Sequence, residues 1–250
     1  MAEARETGGK EPRVLVIIPA HNEAESIADV VHNIRASVKA GIVVIDDGST
    51  DRTGEIALAE GAELLRLPFN LGIGSAMQTG YRFADREGYD IAVQTDGDGQ
   101  HDASYLTQLI QPVKDGECDL CVGSRYLSRE YRGPLARRLG TAFFSKLLSL
   151  MLRQKVSDAT SGFRASNRQL IELFAQDYPR DYPEVESLLS SHMAGLRIRE
   201  ISVRMHQRGG GRSSINNFRS VYYMVKVLLA LMVVRSRRRT LPAGQETTPR

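Results

Sequence analysis

Ile91-Ala-Val-Gln-Thr-Asp96-Gly97-Asp98-Gly99-Gln100-His101-Asp102 is the stretch that decides the fold. Its opening residues make a short, buried strand, and the acids begin where that strand has to end. Carboxylates gathered at the carboxyl end of a buried strand mark an open α/β sheet, whose ligands bind in the crevice beyond the strand ends. The same arrangement occurs twice upstream. Arg13-Val-Leu-Val-Ile-Ile18 runs into Pro19-Ala20-His21-Asn22-Glu23, and Ile42-Val-Val-Ile45 runs into Asp46-Asp47-Gly48-Ser49-Thr50-Asp51. Amphipathic stretches at 25–39, 51–60, 75–86 and 103–114 alternate with these strands and with extended segments at 63–67 and 119–122. Strand and helix therefore repeat as βαβ units over the first half, and the three acidic loops are expected to share one crevice.

The remainder is less regular. Leu135–Leu152 reads as a long amphipathic helix carrying Arg137, Arg138 and Lys146. Helices near 167–175 and 183–193 and a strand near 197–205 follow, then the basic loop Arg208-Gly-Gly-Gly-Arg212-Ser-Ser214. The apolar stretch Val221–Val234 is 14 residues long, short of the about 20 that span a bilayer, so it is expected to lie on a membrane as an interfacial helix. The expected layout is a disordered segment 1–12, a catalytic domain 13–217, a membrane-associated helix 218–239 and a disordered tail 240–250.

Composition narrows the classes. With 250 residues, 42% of them hydrophobic, the chain can bury a real core. Two cysteines cannot staple a disulfide-rich scaffold, and Cys118-Asp-Leu-Cys121 straddles a loop and a strand, where core packing is its expected role. The polar first 12 residues lack the pattern of a signal peptide, so the catalytic part is expected in the cytoplasm. The net charge of +3 conceals a split: residues 197–250 hold 12 Lys and Arg against 2 Asp and Glu, or +10, leaving −7 on residues 1–196. Such a basic end suits a phosphate-bearing ligand or an anionic membrane surface. Nucleic acid is not expected, because no helix-turn-helix, zinc finger or ribonucleoprotein motif accompanies the charge.

Asp96 and Asp98 carry the sharpest chemical signal. Two carboxylates held together repel each other unless a cation joins them, and oxygen ligands suit Mg²⁺ or Mn²⁺, which keep waters and bridge carboxylates to substrate phosphates. The plain alternative is a solvated Asp-Gly turn. Ser49, Thr50 or Asp51 can cap the following helix, which leaves Asp46 and Asp47 available to a ribose or a base. Gly72-Ile-Gly74-Ser-Ala76-Met77 lacks the third glycine of a dinucleotide fingerprint and reads as a turn leading into a helix.

Taken together, Pro19-x-His21-Asn-Glu23, Asp46-Asp-Gly-Ser49, Asn70-Leu-Gly72, Asp96-Gly-Asp98-Gly-Gln100-His-Asp102, Gly123-Ser-Arg125-Tyr126, Ser161-Gly-Phe-Arg164 and Arg208-x-x-Gly211-x-Ser213 resemble family 2 glycosyltransferases, in particular the dolichyl-phosphate mannose synthase and polyprenyl-phosphate glycosyltransferase group. The resemblance implies a glycosyltransferase-A fold, a Rossmann-like mixed sheet flanked by helices. It also implies a GDP- or UDP-linked sugar donor, a divalent ion, a polyprenyl phosphate acceptor and inversion at the anomeric carbon. Residue by residue, it implies that Pro19, His21, Glu23, Ile45, Asp46 and Asp47 line the nucleoside pocket. Asp96, Gly97, Asp98 and Gln100 would hold the metal and the diphosphate, with Asp96, Asp98 and Gln100 as metal ligands. Arg125, Arg208 and Arg212 would meet phosphates, with Asp98, Arg125 and Arg208 catalytic, and Arg137, Arg138 and Ser214 would face the acceptor. His21 stands where the family usually has Tyr, and Ser214 where it commonly has Lys.

The acceptor stays open at this level. A lipid phosphate is already anionic and needs no strong base, whereas a soluble or lipid hydroxyl needs a carboxylate such as Asp102, Glu184 or Glu186 to take its proton. A nucleotidyltransferase would carry a Gly- and Arg/Lys-rich loop after its first strand, which Pro19–Glu23 is not. A non-enzymatic membrane-associated module would tolerate loss of Asp98. The stretch 218–239 also offers a face for a membrane-protein partner or for a second copy of the chain.

Overall fold

A computed structural model describes residues 11–128 and 135–206. The expected interfacial helix 218–239, both terminal segments up to residue 10 and from 240 onward, and Arg208, Arg212 and Ser214 lie outside the described residues, as does the side chain of Arg137.

The chain runs β1 (Val14–Ala20), α1 (Ile27–Ser37), β2 (Gly41–Asp46), α2 (Thr53–Ala59), β3 (Glu63–Arg66), α3 (Ile73–Arg86) and β4 (Ile91–Gln94). A 3-10 turn, Ala103–Tyr105, leads into α4 (Leu106–Lys114), so the single helix expected at 103–114 begins with a tighter turn. Then come β5 (Leu120–Ser124), α5 (Leu135–Leu152), β6 (Arg164–Asn167), α6 (Arg168–Gln176), α7 (Pro183–Met193) and β7 (Ile198–Ser202). The seven strands form one sheet in the order β3-β2-β1-β4-β6-β5-β7.

β1 pairs in parallel with β2 on one side and β4 on the other, which makes the gap between the β1 and β4 ends the topological switch point. Both strands are buried on both faces, and strict alternation divides their side chains between two cores. Leu15, Ile17, Val43, Ile45 and Ala92 join the core under α3, α5, α6 and α7. Val16, Ile18, Val44, Ile91 and Val93 join the one under α1, α2 and α4.

β6 is the element the sequence pattern did not announce. It runs antiparallel between β4 and β5, pairing Gln94 with Arg164 and Val122 with Arg164. Its four residues, Arg164-Ala-Ser-Asn167, contain one apolar side chain, so no hydrophobic run betrays a strand. Insertion there brings Ser161-Gly162-Phe163 against the carboxyl end of β4.

Candidate active site

The loops after β1, β2 and β4 meet at the switch point and are laced to one another. Asn22, whose φ of 56° is left-handed, accepts the Thr50 amide on Oδ1 at 2.8 Å, and its own amide donates to Ser49 Oγ at 3.0 Å. The Glu23 amide donates to Thr53 Oγ1 at 2.8 Å. Ser26 at the head of α1 donates to the Gly97 carbonyl at 2.7 Å, tying the first loop to the Asp-Gly-Asp turn. His21 Nδ1 donates to the Asp47 carbonyl at 2.9 Å, a tautomer assigned by that partner.

Asp98 is half-buried and braced by its own loop: Gln100 donates its amide N–H to Oδ1 at 3.0 Å and Nε2 to Oδ2 at 2.6 Å. Gln100 therefore positions the acid from the side, and only its amide oxygen is left to meet a metal. Asp96 keeps 40% of its side chain exposed, and the His101 Nε2 stands 3.6 Å from its Oδ2. His101 accepts the Asp96 amide on Nδ1 at 3.0 Å and stacks on Phe163 at 4.9 Å. Burial pushes this imidazole down to about 4 against the pull of the Asp98 carboxylate, so it is neutral at pH 7 and adds no positive charge.

A cavity of about 960 Å³ runs from these loops along α1, lined among others by His21, Glu23, Asp98, His101, Asp102 and His206. Among the described residues its lining carries Glu23, Glu25, Asp29, Asp51, Asp98 and Asp102 and no Lys or Arg. A diphosphate entering it needs cations from elsewhere. The chain after β7 returns to this place: His101 and Met205 form an isolated antiparallel bridge, and the His206 amide donates to the Gln100 carbonyl at 2.8 Å. His206 Nε2 also lies 3.6 Å from Asp102 Oδ2, while Asp102 caps the 3-10 turn by accepting the Ser104 amide at 2.9 Å.

Several expected donor residues are placed otherwise. Ile45 is fully buried in the core and reaches no ligand surface. Asp46 is fully buried, accepting the Ser49 amide on Oδ1 at 2.9 Å and Arg66 Nε on Oδ2 at 2.8 Å, so it builds the loop. Asp47 accepts the Leu71 and Gly72 amides at 2.7 and 2.9 Å, which fixes the Asn70-Leu-Gly72 turn beside the site. Arg125 is pinned by Asp158, Nε to Oδ2 at 2.7 Å and Nη2 to Oδ1 at 2.8 Å, with Nη2 also on Thr160 Oγ1 at 2.8 Å. Two of its three nitrogens brace the floor behind the crevice instead of facing a phosphate. Pro19 and Gly97 pack together, and a Cβ on Gly97 would stand 3.3 Å from the Pro19 carbonyl. Arg138 is exposed on α5.

Asp158 and Glu200 were missed from the sequence because each acts on a distant segment; Glu200 takes the amides of Ser157 and Asp158 at 2.8 to 3.0 Å. The only local hint was the run of small polar residues at 157–162. Glu184, at the head of α7, is raised above the usual carboxylate range by burial, with Arg164 opposing and Asp96 reinforcing the shift, so it belongs to the same electrostatic cluster.

The donor set fits Mg²⁺ or Mn²⁺ with a diphosphate. Asp96 and Asp98 would supply carboxylate oxygens two residues apart, and among the described residues no three His, Cys, Asp or Glu side chains converge to close a site without help.

A crevice beyond the carboxyl ends of the strands, at the switch point of this sheet, is where an open α/β fold binds its ligand. The family model "Glycosyl transferase family 2" matches residues 15–174, and the chain belongs to that family. Similar proteins include an undecaprenyl-phosphate mannosyltransferase of Micrococcus luteus, 30% identical over 82% of this chain and 88% of the relative. A polyprenol monophosphomannose synthase of Mycolicibacterium smegmatis is 30% identical over 89% of this chain and 92% of its own length. Among solved structures, glucosyl-3-phosphoglycerate synthase of Mycobacterium tuberculosis with Mn²⁺, UDP and glucosyl-3-phosphoglycerate superposes with a TM-score of 0.69 at 24% identity, covering 90% of this chain and 80% of that one. The fold is the glycosyltransferase-A fold, and the protein is a glycosyltransferase.

Proposed function

We propose that the protein transfers one sugar, with inversion, from a GDP- or UDP-linked donor to polyprenyl phosphate at the cytoplasmic face of a membrane. The single observation that carries this reading is the acidic cavity at the switch point, lined by Asp98 and by no Lys or Arg among the described residues, with the part-exposed Asp96 two residues before Asp98 in the same loop. Asp96 and Asp98 would hold a Mg²⁺ or Mn²⁺ ion, which supplies charge stabilisation to the departing diphosphate. Gln100 keeps Asp98 aimed, and His21 and Glu23 border the nucleoside end. His206 is fastened to the Gln100 carbonyl, and Arg208 follows it by two residues in the sequence. Arg208, with Arg212 beyond it, would add guanidinium groups where negative charge grows. Arg125 supports this arrangement from behind through Asp158.

A polyprenyl phosphate attacks through an oxygen that is anionic at neutral pH, so no general base is demanded. The outer face of α5 supports such an acceptor. Leu139, Phe143 and Leu150 are 63%, 44% and 78% exposed, fall on one stripe at helical spacing, and lie among exposed Arg138, Lys146, Arg153 and Lys155. An apolar stripe bordered by cations suits an anionic membrane surface. Among the described residues no helix is long and apolar enough to cross a membrane. A hydroxyl acceptor is the second reading, favoured by the raised Glu184 carboxyl near Asp96, which could take a proton.

The test is to incubate the full chain with GDP-mannose, UDP-glucose or UDP-N-acetylglucosamine, detergent-dispersed undecaprenyl phosphate and Mn²⁺. A lipid-linked sugar and free nucleoside diphosphate are expected. Asp98→Asn is expected to lower turnover at least ~100-fold. Sugar appearing only on a hydroxyl acceptor, or release of pyrophosphate, would overturn the reading.

A further inference from the structure

Gln94 and Asp96 are two residues apart at the carboxyl end of β4, so their side chains emerge on the same face of the sheet. Gln94 is 1% exposed. Its Oε1 accepts the Tyr178 hydroxyl at 3.3 Å, and among the described residues its buried Nε2 has no hydrogen-bond partner. Leaving such a donor unmade costs about 1–3 kcal/mol, so its retention in the core calls for a partner in some state of the protein.

Gly162 shows where that partner stands. The pairing of β6 with β4 sets Arg164 opposite Gln94 and carries Gly162 past the strand end. A Cβ on Gly162 would lie 3.2 Å from Asp96 Oδ1 and 3.4 Å from Gln94 Nε2. One methyl-sized point thus borders both the unmade donor and a carboxylate oxygen, and glycine alone leaves the space between them clear. Carboxylates that ligate metals are themselves hydrogen-bonded from behind, and loss of such an outer partner typically costs 10–100-fold in metal affinity.

We propose that Gln94 is a positioning residue for the metal site: its Nε2 donates to the Asp96 carboxylate oxygen turned away from the divalent ion, in a gap kept open by Gly162. The inference rests on Asp96 and Asp98 as the metal pair and assigns to the core beneath them the task of aiming Asp96. Tyr178 serves as the far anchor. It packs edge-on against Phe174 with ring centroids at 5.1 Å, so the amide cannot swing without disturbing the aromatic cluster.

Mn²⁺ binding to the full-length protein, followed by electron paramagnetic resonance with UDP or GDP present, tests this without reference to turnover. Gln94→Met is expected to weaken Mn²⁺ by at least ~10-fold, with metal-free nucleotide affinity unchanged within about twofold and turnover recovered in excess Mn²⁺. Gly162→Ala, which sets a methyl group against both partners, is expected to weaken Mn²⁺ likewise and carries the test if Gln94→Met fails to fold. Mn²⁺ affinity unchanged in both folded variants would overturn the proposal, since a trapped water would then suffice for the amide. A wild-type protein that binds no Mn²⁺ with either nucleotide would overturn the metal reading itself.

Discussion

Asp46 illustrates how a loop acid becomes a structural one. Burial alone would push its carboxyl up, but the hydrogen bonds from Ser49 and the ion pair with Arg66 outweigh that and hold it below the ordinary value. The folded form therefore binds fewer protons than the unfolded chain, and the stability it contributes is complete above the unfolded value near 4 and is lost as pH falls through the folded one. Asp46→Asn is expected to cost about 1–3 kcal/mol at pH 7 and less near pH 3, read from urea denaturation at the two pH values. An equal loss at both would show that the shape of the side chain matters and its charge does not. Asp46, Asp47 and Ile45 are a lesson in reading loops. All three stand in or beside the right motif, yet the acids spend their oxygens on Ser49, Arg66, Leu71 and Gly72. The sequence cannot tell an acid that binds a ligand from one that builds the ligand's wall, because both sit at strand ends.

α5 is apolar on two opposite faces. Phe144, Leu148 and Leu152 fill the core beneath it, while Leu139, Phe143 and Leu150 face outward. The outward set is only partly packed, Phe143 meeting Phe144 edge-on at 5.3 Å, so Phe143→Asp with Leu150→Asp is expected to cost no more than about 1 kcal/mol per site. The same pair should reduce cosedimentation with vesicles containing phosphatidylglycerol, while transfer to detergent-dispersed acceptor persists. Undiminished cosedimentation would remove α5 from the membrane-facing surface. The helices were legible from apolar residues spaced near 3.6, and the buried central strands as short continuous apolar runs. β6 was not, since its pairing with β4 and β5 supplies what its composition lacks.

Across the whole molecule, charge is distributed by function. The described crevice is acidic, whereas the chain beyond His206 carries Arg208, Arg212, Arg219, Lys226 and the cluster Arg235, Arg237, Arg238 and Arg239. Deleting residues 219–250 retains Arg208 and Arg212 and is expected to leave binding of nucleoside diphosphate with Mn²⁺ intact while weakening attachment to anionic vesicles. Equal attachment with and without the segment would assign membrane contact to α5 alone. Loss of nucleotide binding would place the segment in the donor site instead.

The order of strands and helices, the clustering of acids at strand ends and the basic C-terminal end followed from the sequence alone, because each is a local pattern of side-chain type and spacing. The tertiary structure decided which acids face the crevice, that Asp158 takes Arg125, and that Gly162 borders both Gln94 and Asp96. These are contacts between segments far apart in the chain, and they exist only once β6 has paired with β4, a register set by hydrogen bonds in the finished sheet and not by any pattern within the strand itself.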